Sequence, residues 1–473
     1  MFIPLIYDIF FSNSQCVYVF SSSISLCLFL GTSVIFSSAT NINSLTFSQK
    51  DAFLIVVCFW IVVSFCSAFP FYLYDGHKID FMTALFESVS GITVTGATIY
   101  SDVESLPEAI NLWRFMLHFI GGIGIITIAI LVLPTLRVGG MQLFRTENSD
   151  KSEKLLPRIS QVLAVFSLMC IAFIVYISFL LKMAGMSNFD AICHSISAIM
   201  TGGFSTKNNG IAYYDNRLIE FIVAVAMFFG GLTFMEIINC FKNGVKHFYK
   251  NQQIRGYIKL FFFSVLTVAF LYFIKNNNGI SLKVFIGFVF QVASSITTTG
   301  YDLIASNVDS IAKGAAPCMK FLFIVLLAIG GCSGSTSSGI KIFRLQIIWG
   351  ILKNHIKKQI KPNHVNTVEY YEQVVDGQVI VSVVSFLSLL AISFFVSTFL
   401  ICLINQYDIS VGLAATFSCI FNSGYPVEFL TSLQIPYSDM NGLTKLILMI
   451  DMLVGRLEFI SVFVILSLKF WKK

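Results

Sequence analysis

The sequence predicts an all-α membrane protein built from four pseudo-symmetric repeats, each consisting of a membrane span, a half-helix with a glycine loop, and a second span. Composition is the first observation: 56% of the residues are hydrophobic, 12% are charged and the mean hydropathy is +0.81. Apolar runs of about 20 residues, enough to cross about 30 Å of hydrocarbon, recur along the whole chain. A short apolar segment followed by a glycine loop also occurs four times between longer spans. Four such units would enclose a single axis, so one chain would build a whole pore.

The composition and charge exclude several classes of protein. A chain with this hydrophobic fraction is not an ordinary soluble domain. A net charge of +6 and a pI near 8.6 would suggest acidic partners for a soluble protein, but Lys and Arg here mark cytoplasmic loops, so we expect no nucleic-acid partner. The 11 cysteines are scattered singly in apolar spans without a Cys-x-x-Cys pair, which is typical of small buried side chains rather than disulfides or metal ligands.

Residues 1–50 form a short N-terminal extension that we expect to contain about one transmembrane helix. Residues 1–11 are too short to cross a bilayer and lack the Lys or Arg of a signal peptide, so they predict an interfacial or stunted helix. Residues 17–38 are long enough to span, and residues 41–50 form a polar connector. Either a first helix of this extension is missing or the chain starts late.

The remaining chain divides into repeats at its polar, basic connectors. The expected boundaries are residues 51–136 for repeat one, 157–241 for repeat two, 256–345 for repeat three, 346–376 for a cytoplasmic connector and 377–473 for repeat four. The long spans cover residues 52–74, 112–134, 159–182, 218–241, 257–274, a segment from about 319, 379–404 and 443–469. The short segments cover residues 81–92, 189–200, 285–296 and 411–421. These short segments have the length of half-helices that enter a membrane without crossing it.

Each half-helix leads into a glycine loop. The four loops are Val94-Thr95-Gly96-Ala97, Thr201-Gly202-Gly203-Phe204, Thr298-Thr299-Gly300-Tyr301 and Asn422-Ser423-Gly424-Tyr425. Glycine takes the positive φ values that such a turn requires, and carbonyls that line a hole can replace the water around a bare monovalent cation. One such loop alone would be typical of a turn after a buried helix. Its recurrence in four equivalent settings predicts a pore.

The charged residues predict the orientation of the chain. Basic residues concentrate in the connectors and the C-terminal tail, which we expect to be cytoplasmic: Arg137, Arg145, Lys151, Lys154, Arg158, Lys242, Lys246, Lys250, Arg255, Lys259, Lys341, Arg344, Lys353, Lys357, Lys358, Lys361, Lys469, Lys472 and Lys473. Acidic residues follow the glycine loops: Asp102, Glu104, Glu108, Asp215, Asp302, Asp309, Glu428 and Asp439. We expect them to face outward and to raise the local cation concentration, although each one taken alone is better explained as a solvated loop carboxylate.

The segment 330–339 interrupts the second span of repeat three. Glycine is interleaved there with serine and threonine, a composition that does not hold a regular helix. A flexible segment in the inner half of a span can swing across a conduit and act as a gate. A kink for packing explains the same composition, and position alone does not decide between the two. The residues assigned to this segment are Gly330, Gly331, Ser333, Gly334 and Gly339.

Arg456 lies deep in the last span. A charge inside a membrane is energetically expensive and by default functional. The nearby acids are poorly placed to pair with it along a helix, because Glu458 is two residues on and Asp451 is five residues back. We therefore expect Arg456 to have a functional role; a structural ion pair is the alternative.

Three motifs point to a known family. They are Leu112-Trp113-Arg114 followed by Gly121-Gly122-Ile123-Gly124, the segment from Gly331 to Lys341 with its Ser-Gly-Ser-Thr core, and Gly455-Arg456-Leu457-Glu458. From about residue 50 the chain resembles the membrane subunit of the Trk/Ktr potassium-uptake family, and its Trk branch in particular. The resemblance implies a potassium channel-like fold, a homodimer, and K⁺ as the transported ion with no organic cofactor in this chain. It also implies a cytoplasmic nucleotide-binding regulatory subunit of the TrkA type, and a lipid-embedded, multi-pass protein of the bacterial inner membrane.

The resemblance also implies roles for particular residues. Main-chain oxygens of the four loops would bind K⁺, with no other metal site: Val94, Thr95, Gly96, Thr201, Gly202, Gly203, Thr298, Thr299, Gly300, Asn422, Ser423 and Gly424. Each half-helix would point its partly negative C-terminus at the ion. Arg456, just inside this filter, would form the gate together with the segment of Gly330, Gly331, Ser333, Gly334 and Gly339.

Other functions fit parts of the sequence. A Ktr-type Na⁺-coupled potassium transporter would share the repeats but not the apolar extension, and coupling of uptake to H⁺ or Na⁺ stays open. A carrier that rocks around a broken helix would usually have inverted repeats. The Gly-x-Ser-Gly at Ser333 also resembles intramembrane serine proteases, which need a His beside the serine, but His355 and His364 lie in or near a basic connector. His118 and His194 lie on apolar faces and predict packing or hydrogen bonding rather than metal binding.

Overall fold

The computed structural model describes most of the chain. The described residues are 1–12, 16–38, 49–76, 78–131, 159–275, 281–303, 317–361, 368–370, 373–427, 431 and 435–471. Several residues of the charge analysis and one histidine lie outside them: Arg137, Arg145, Lys151, Lys154, Arg158, Asp309, His364, Glu428, Lys472 and Lys473. The prediction for the first cytoplasmic connector therefore rests on the sequence.

The N-terminal extension folds into two helices, α1 (Phe2–Phe11) and α2 (Val17–Ser38). The Tyr7 hydroxyl ties α1 to the repeats by donating to Glu108 Oε2 at 2.5 Å. The buried Asp8 carboxylate accepts the main-chain N–H of Cys16 at 2.7 Å, which links α1 to the residue just before α2. Of these two described helices, only α2 is long and apolar enough to cross a membrane, as the sequence predicts.

In repeats one and two, each half-helix lies between two long helical segments. Repeat one contains α3 (Gln49–Ser67), α4 (Phe69–Leu73), the half-helix α5 (Phe81–Ile92) and α6 (Glu108–Leu131). Repeat two contains α7 (Ile159–Met183), the half-helix α8 (Asn188–Met200), α9 (Arg217–Gly230), α10 (Phe234–Asn243) and the connector helix α11 (Val245–Lys250). A 3₁₀ turn at Gly210–Tyr214 precedes α9.

Repeats three and four have the same order of elements. Repeat three contains α12 (Gln252–Lys275), which begins four residues before the expected boundary, the half-helix α13 (Leu282–Ile296) and α14 (Pro317–Ile329). Its last helix, α15 (Ile342–Ile360), continues into the segment expected to be the cytoplasmic connector. A two-stranded antiparallel hairpin follows, with β1 (Glu369–Tyr370) paired to β2 (Gln373–Val374), a small departure from the all-α expectation. Repeat four contains α16 (Gly377–Asn405), the half-helix α17 (Ile409–Ile420), a 3₁₀ turn (Tyr437–Asp439), α18 (Gly442–Arg456), α19 (Phe459–Leu466) and α20 (Leu468–Trp471).

The half-helices start at polar caps and end in buried surroundings. Ser187 accepts the N–H of Asp190 at the start of α8, and Ser281 accepts that of Val284 at the start of α13. Such caps satisfy one of the free N–H groups of a first helical turn. Toward their C-termini all four half-helices are buried, so their last carbonyls lie inside the protein.

Three second spans are broken, and the sequence predicts only one of these breaks. The predicted span 218–241 is wrong as a single helix, because α9 and α10 meet at an angle of 97°. The predicted span 443–469 is interrupted at Glu458, whose φ is +59°. Hydropathy reports that a segment is apolar, but not that its backbone turns. The carbonyls freed at Gly230 and Gly231 instead accept N–H groups of Thr336 and Cys332 at 3.3 and 2.9 Å.

The apolar residues separate into an interior and a large exposed surface. One buried cluster joins repeats two and three, and another joins repeats one and four with the extension. On α12, Phe263, Leu266 and Phe270 are each more than 60% exposed, as expected for side chains that face lipid. Among the described residues, six helices are long and apolar enough to span a membrane, and the bent α9–α10 pair would make a seventh. The chain is a multi-pass membrane protein.

Candidate functional site

All four glycine loops share one unusual backbone conformation. The first residue of each is left-handed, with φ of 57° at Val94, 56° at Thr201, 55° at Thr298 and 48° at Asn422. The glycine two positions later also has positive φ: 84° at Gly96, 80° at Gly203, 89° at Gly300 and 60° at Gly424. Positive φ is a genuine outlier for a β-branched residue. Strained residues of this kind persist where their surroundings enforce them, and they cluster at functional sites.

The glycine loops close into a ring. A Cβ atom added to the glycine at the third position of each loop would collide with a main-chain oxygen of the following loop: Gly96 with Gly202 at 2.0 Å, Gly203 with Thr299 at 2.1 Å, Gly300 with Ser423 at 1.8 Å, and Gly424 with Thr95 at 2.2 Å. The fourth loop thus returns to the first. Only glycine fits this approach, and the four predicted loops meet around a common centre.

A serine in each half-helix supports its loop, and the sequence analysis missed these residues. They lie six positions before each loop glycine, at Ser90, Ser197, Ser294 and Ser418. The main-chain carbonyl of each serine accepts the N–H of the second residue of its loop at 2.8 to 2.9 Å. Three of the hydroxyls donate to the carbonyl seven residues on: Ser90 to Ala97 at 2.5 Å, Ser294 to Tyr301 at 2.7 Å and Ser418 to Tyr425 at 2.9 Å. Their fixed spacing from the glycines is the signal that could have found them.

The glycine-rich segment 330–339 and the two residues that follow it, together called the segment 330–341, pack against one end of this ring. Thr336 Oγ1 donates to the carbonyls of Ile199 and Gly230 at 3.1 and 3.0 Å. The Ser338 N–H donates to Thr298 Oγ1 at 2.9 Å, and the Ser338 hydroxyl to Asn422 Oδ1 at 3.2 Å. The segment therefore touches residues of the second, third and fourth repeats. Its predicted glycines include three with positive φ: Gly330, Gly334 and Gly339. The other two assigned residues, Gly331 and Ser333, are buried within the same segment.

Arg456 contacts this segment directly. It is 4% exposed, and its Nη1 donates to the Thr336 carbonyl at 2.9 Å and to Ser338 Oγ at 2.8 Å. The acids near it in sequence bond elsewhere: Ser397 donates to Asp451 at 2.6 Å, and Glu458 pairs with Arg344 at 2.7 Å. A cavity beside Arg456 is also lined by Lys341, Arg344 and Glu458, so cationic side chains outnumber acidic ones there.

The acidic residues after the glycine loops differ in their surroundings. Asn208 of repeat two donates to Asp102 Oδ1 at 2.8 Å and lowers the pKa of that exposed carboxyl below its usual range. Asp102 therefore stays ionised at this end of the molecule. Asp215 instead pairs with Lys283 at 2.8 Å, which lowers the pKa of its carboxyl, so it is ionised as well. The positive charge of Lys283 compensates that of Asp215, whereas Asp102 is held by the uncharged Asn208.

The two candidate histidines pack behind the loops. His118 stacks on Phe204 with ring centroids 4.2 Å apart. His194 lies 3.2 Å from Thr206 Oγ1 and 3.3 Å from the Tyr301 hydroxyl. Within the described parts of the chain, no group of His, Cys, Asp and Glu side chains is arranged to hold a metal ion. The histidines thus have the packing and hydrogen-bonding roles that their apolar surroundings predict.

Comparison with known proteins identifies the family. A family model described as a cation transport protein, TrkH, matches residues 18–286 and 283–473. The TrkH potassium uptake protein of Escherichia coli (strain K12) is 32% identical over 90% of this chain and 86% of its own length. TrkG of the same strain is 31% identical over 100% of this chain and 97% of its own. The crystal structure of the potassium transporter TrkH from Vibrio parahaemolyticus superposes with a TM-score of 0.88 at 26% identity, covering 100% of this chain and 96% of that one.

These matches confirm the resemblance drawn from the motifs and the four-repeat helical fold. The relatives are transport proteins rather than enzymes, which sets aside a protease built on Ser333. The sequence belongs, over essentially its whole length, to the TrkH family of cation transport proteins.

Proposed function

We propose that this chain is the potassium-translocating membrane subunit of a Trk-type uptake system. The observation that carries the proposal is the closed ring of glycine loops, in which each glycine faces a carbonyl of the next loop. Relatives that match at least 90% of the chain are named Trk system potassium uptake proteins. A single polypeptide would thus supply all four quarters of a cation path.

In this proposal the loops form a selectivity filter for K⁺. The main-chain oxygens would come from Val94 and Thr95 in repeat one and from the equivalent pairs of the other repeats: Thr201 and Gly202, Thr298 and Thr299, Asn422 and Ser423. Carbonyl ligands can replace the hydration shell of K⁺, with selectivity set by ligand number, field strength and fit. The buried C-termini of the four half-helices favour a cation at the same place. K⁺ would be cargo, and no organic cofactor is proposed for this chain.

We further propose that Arg456 and the segment 330–341 form the gate. The segment bonds to residues of three repeats at one end of the ring, and Arg456 bonds to the segment. A cation that leaves the filter on this side would meet the charge of Arg456 in a low-dielectric setting, where repulsion is strong. Movement of the segment would break its hydrogen bonds with Arg456 and open the cation path.

The partners and the location follow from the same assignment. We propose a homodimer in the bacterial inner membrane, with the basic connectors and C-terminus in the cytoplasm. A nucleotide-binding subunit of the TrkA type would act on that side, and uptake by symport with H⁺ or Na⁺ is part of the hypothesis. The span-length helix α2 before the repeats supports the Trk assignment over a Ktr-type transporter.

The first prediction concerns growth at low external K⁺. Expression of this chain should restore growth of bacteria that lack their own potassium-uptake systems, and more strongly together with a TrkA-type subunit. The control is the Gly185→Ser variant, whose glycine has φ +108° with open space around it and which should rescue equally. Equal growth with and without the chain, at matched protein levels in the membrane, would contradict the proposal.

A second prediction concerns the segment 330–341. Gly339 has φ +91°, and an added Cβ would lie 2.8 Å from the Gly330 Cα. Gly339→Ala should therefore displace the segment and raise K⁺ flux into proteoliposomes by roughly 5- to 150-fold, because left-handed strain of about 1–3 kcal/mol disfavours the closed arrangement.

The K⁺ over Na⁺ preference should stay unchanged in Gly339→Ala, because the loop glycines are intact. Gly210→Ala is the matched control, since Gly210 has positive φ of 61° with nothing within 4 Å. A change of ion preference at constant flux would show that this segment belongs to the filter instead of the gate.

A further inference from the structure

Neighbouring glycine loops are tied together just beyond their glycines by tyrosine hydroxyls. The Tyr301 hydroxyl donates to the Phe204 carbonyl at 2.7 Å and so joins the third loop to the second. The Tyr425 hydroxyl donates to the Tyr301 carbonyl at 3.2 Å and joins the fourth loop to the third. Tyr437 donates to the Tyr425 carbonyl at 3.2 Å and supports the far side of the fourth loop. The first two of these bonds connect the second, third and fourth loops in series.

The joint between the first and second loops is built differently. Its equivalent residues, Ala97 and Phe204, have no hydroxyl group. A buried ion pair takes the place of the tyrosine: Arg114 Nε lies 2.8 Å from Glu87 Oε1, and the side chains are 1% and 0% exposed. Glu87 comes from the half-helix α5 and Arg114 from α6, both in repeat one.

Both members of the pair bond to the chain that follows the loop glycines. Glu87 Oε2 accepts the N–H of Ile99 at 3.0 Å, and its carboxylate accepts the Thr98 hydroxyl at 3.1 and 3.2 Å. Arg114 donates to Thr98 Oγ1 at 3.1 Å and, across the joint, to the Ser205 carbonyl at 3.3 Å. The guanidinium also lies 4.2 Å from the ring centre of Phe204. The forked guanidinium therefore holds the first and second loops in register.

We propose that the Glu87–Arg114 pair positions the first and second glycine loops and thereby determines ion preference. A buried ion pair is weak evidence for stability, because the free energy of removing two charges from water can exceed their attraction. A planar fork with fixed donors is, however, suited to holding several acceptors at set distances. The pair would thereby set the spacing of the ring at the joint between the first and second loops, where neither Ala97 nor Phe204 carries a hydroxyl group. This inference rests on the proposed function of the ring as a K⁺ filter.

The test is the ratio of K⁺ to Na⁺ flux in proteoliposomes for two variants. Glu87→Gln removes the charge that orients Arg114. Arg114→Lys keeps a positive charge beside Glu87 but loses the fork that reaches Thr98 and Ser205. Both should lower the flux ratio by about tenfold, a readout that a merely structural pair would not move. Asp215→Asn is the control, because the Lys283–Asp215 pair is as short at 2.8 Å but 43% and 75% exposed, and its loss should leave the ratio unchanged.

Each outcome decides the matter. A wild-type flux ratio in both variants overturns the proposal, as does an equal loss of ratio in Asp215→Asn. If Glu87→Gln fails to reach the membrane, Arg114→Lys decides alone, and failure of both to accumulate would assign the pair to folding and overturn the proposal as well. Wild-type protein that passes K⁺ and Na⁺ equally would instead contradict the proposed function, and the inference with it.

Discussion

Replacing Gly300 by Ser should lower the preference for K⁺ over Na⁺ by at least about tenfold. Gly300 has φ +89°, and a Cβ there would lie 1.8 Å from the Ser423 carbonyl oxygen. The side chain must push this oxygen or its own loop aside, and positive φ alone destabilises a residue with a side chain by about 1–3 kcal/mol. Because about 1.4 kcal/mol corresponds to a tenfold change in affinity, a displaced ligand is enough to alter ion discrimination. The measurement is the K⁺/Na⁺ flux ratio of purified protein in proteoliposomes.

The control for Gly300→Ser is the same substitution at Gly185. Gly185 also has positive φ, at +108°, but an added Cβ meets nothing within 4 Å. Backbone strain without a neighbouring carbonyl should leave ion preference at the wild-type value. An unchanged flux ratio in Gly300→Ser, with normal accumulation in the membrane, would remove Gly300 from the filter.

Replacing Arg456 by Ala should raise basal K⁺ flux by about ten- to a hundredfold in the absence of any cytoplasmic partner. At about 5 Å and an effective dielectric constant near 20, two unit charges repel by about 3 kcal/mol. Removing that barrier corresponds to at most about two powers of ten in rate. The variant also loses two bonds to the segment 330–341, from Nη1 to the Thr336 carbonyl and Ser338 Oγ. Both effects act toward opening.

Arg456→Lys separates charge from shape. It keeps a cation beside the segment, so basal flux should stay near the wild-type level. The K⁺/Na⁺ ratio should be unchanged in both variants, because the glycine loops are untouched. Flux in Arg456→Ala that is equal to or below wild type would mean that this charge is no barrier and that its contacts are structural.

The ring could be predicted from the sequence because its determinants are local. A short apolar helix and the glycine loop that follows it are contained in about 20 residues. Because the same pattern occurs four times, each copy supports the interpretation of the others. Gly96 and its three equivalents therefore lie where the pattern places them. The two acids near Arg456 in the sequence, Asp451 and Glu458, bond elsewhere, as their spacing indicates.

Other parts of the site depend on contacts between distant residues. Glu87 and Arg114 are 27 residues apart, and the sequence of neither helix indicates that they pair. The sequence also does not indicate the bond from Arg114 to Ser205, which is 91 residues away. The bend at Gly231 depends on carbonyls that bond to the segment 330–341, about 100 residues further on. The half-helix serines are a different case, since their spacing from the glycines was visible and only its meaning was missed.

The central claim is that main-chain oxygens of four loops in one chain surround a K⁺ ion. Crystals grown in Tl⁺, a K⁺ mimic with strong anomalous scattering, test it most directly. The account predicts an anomalous peak on the common axis, within coordination distance of the carbonyl oxygens of Thr95, Gly202, Thr299 and Ser423. Peaks found only elsewhere in the molecule, with the four loops ordered and this centre empty, would contradict it.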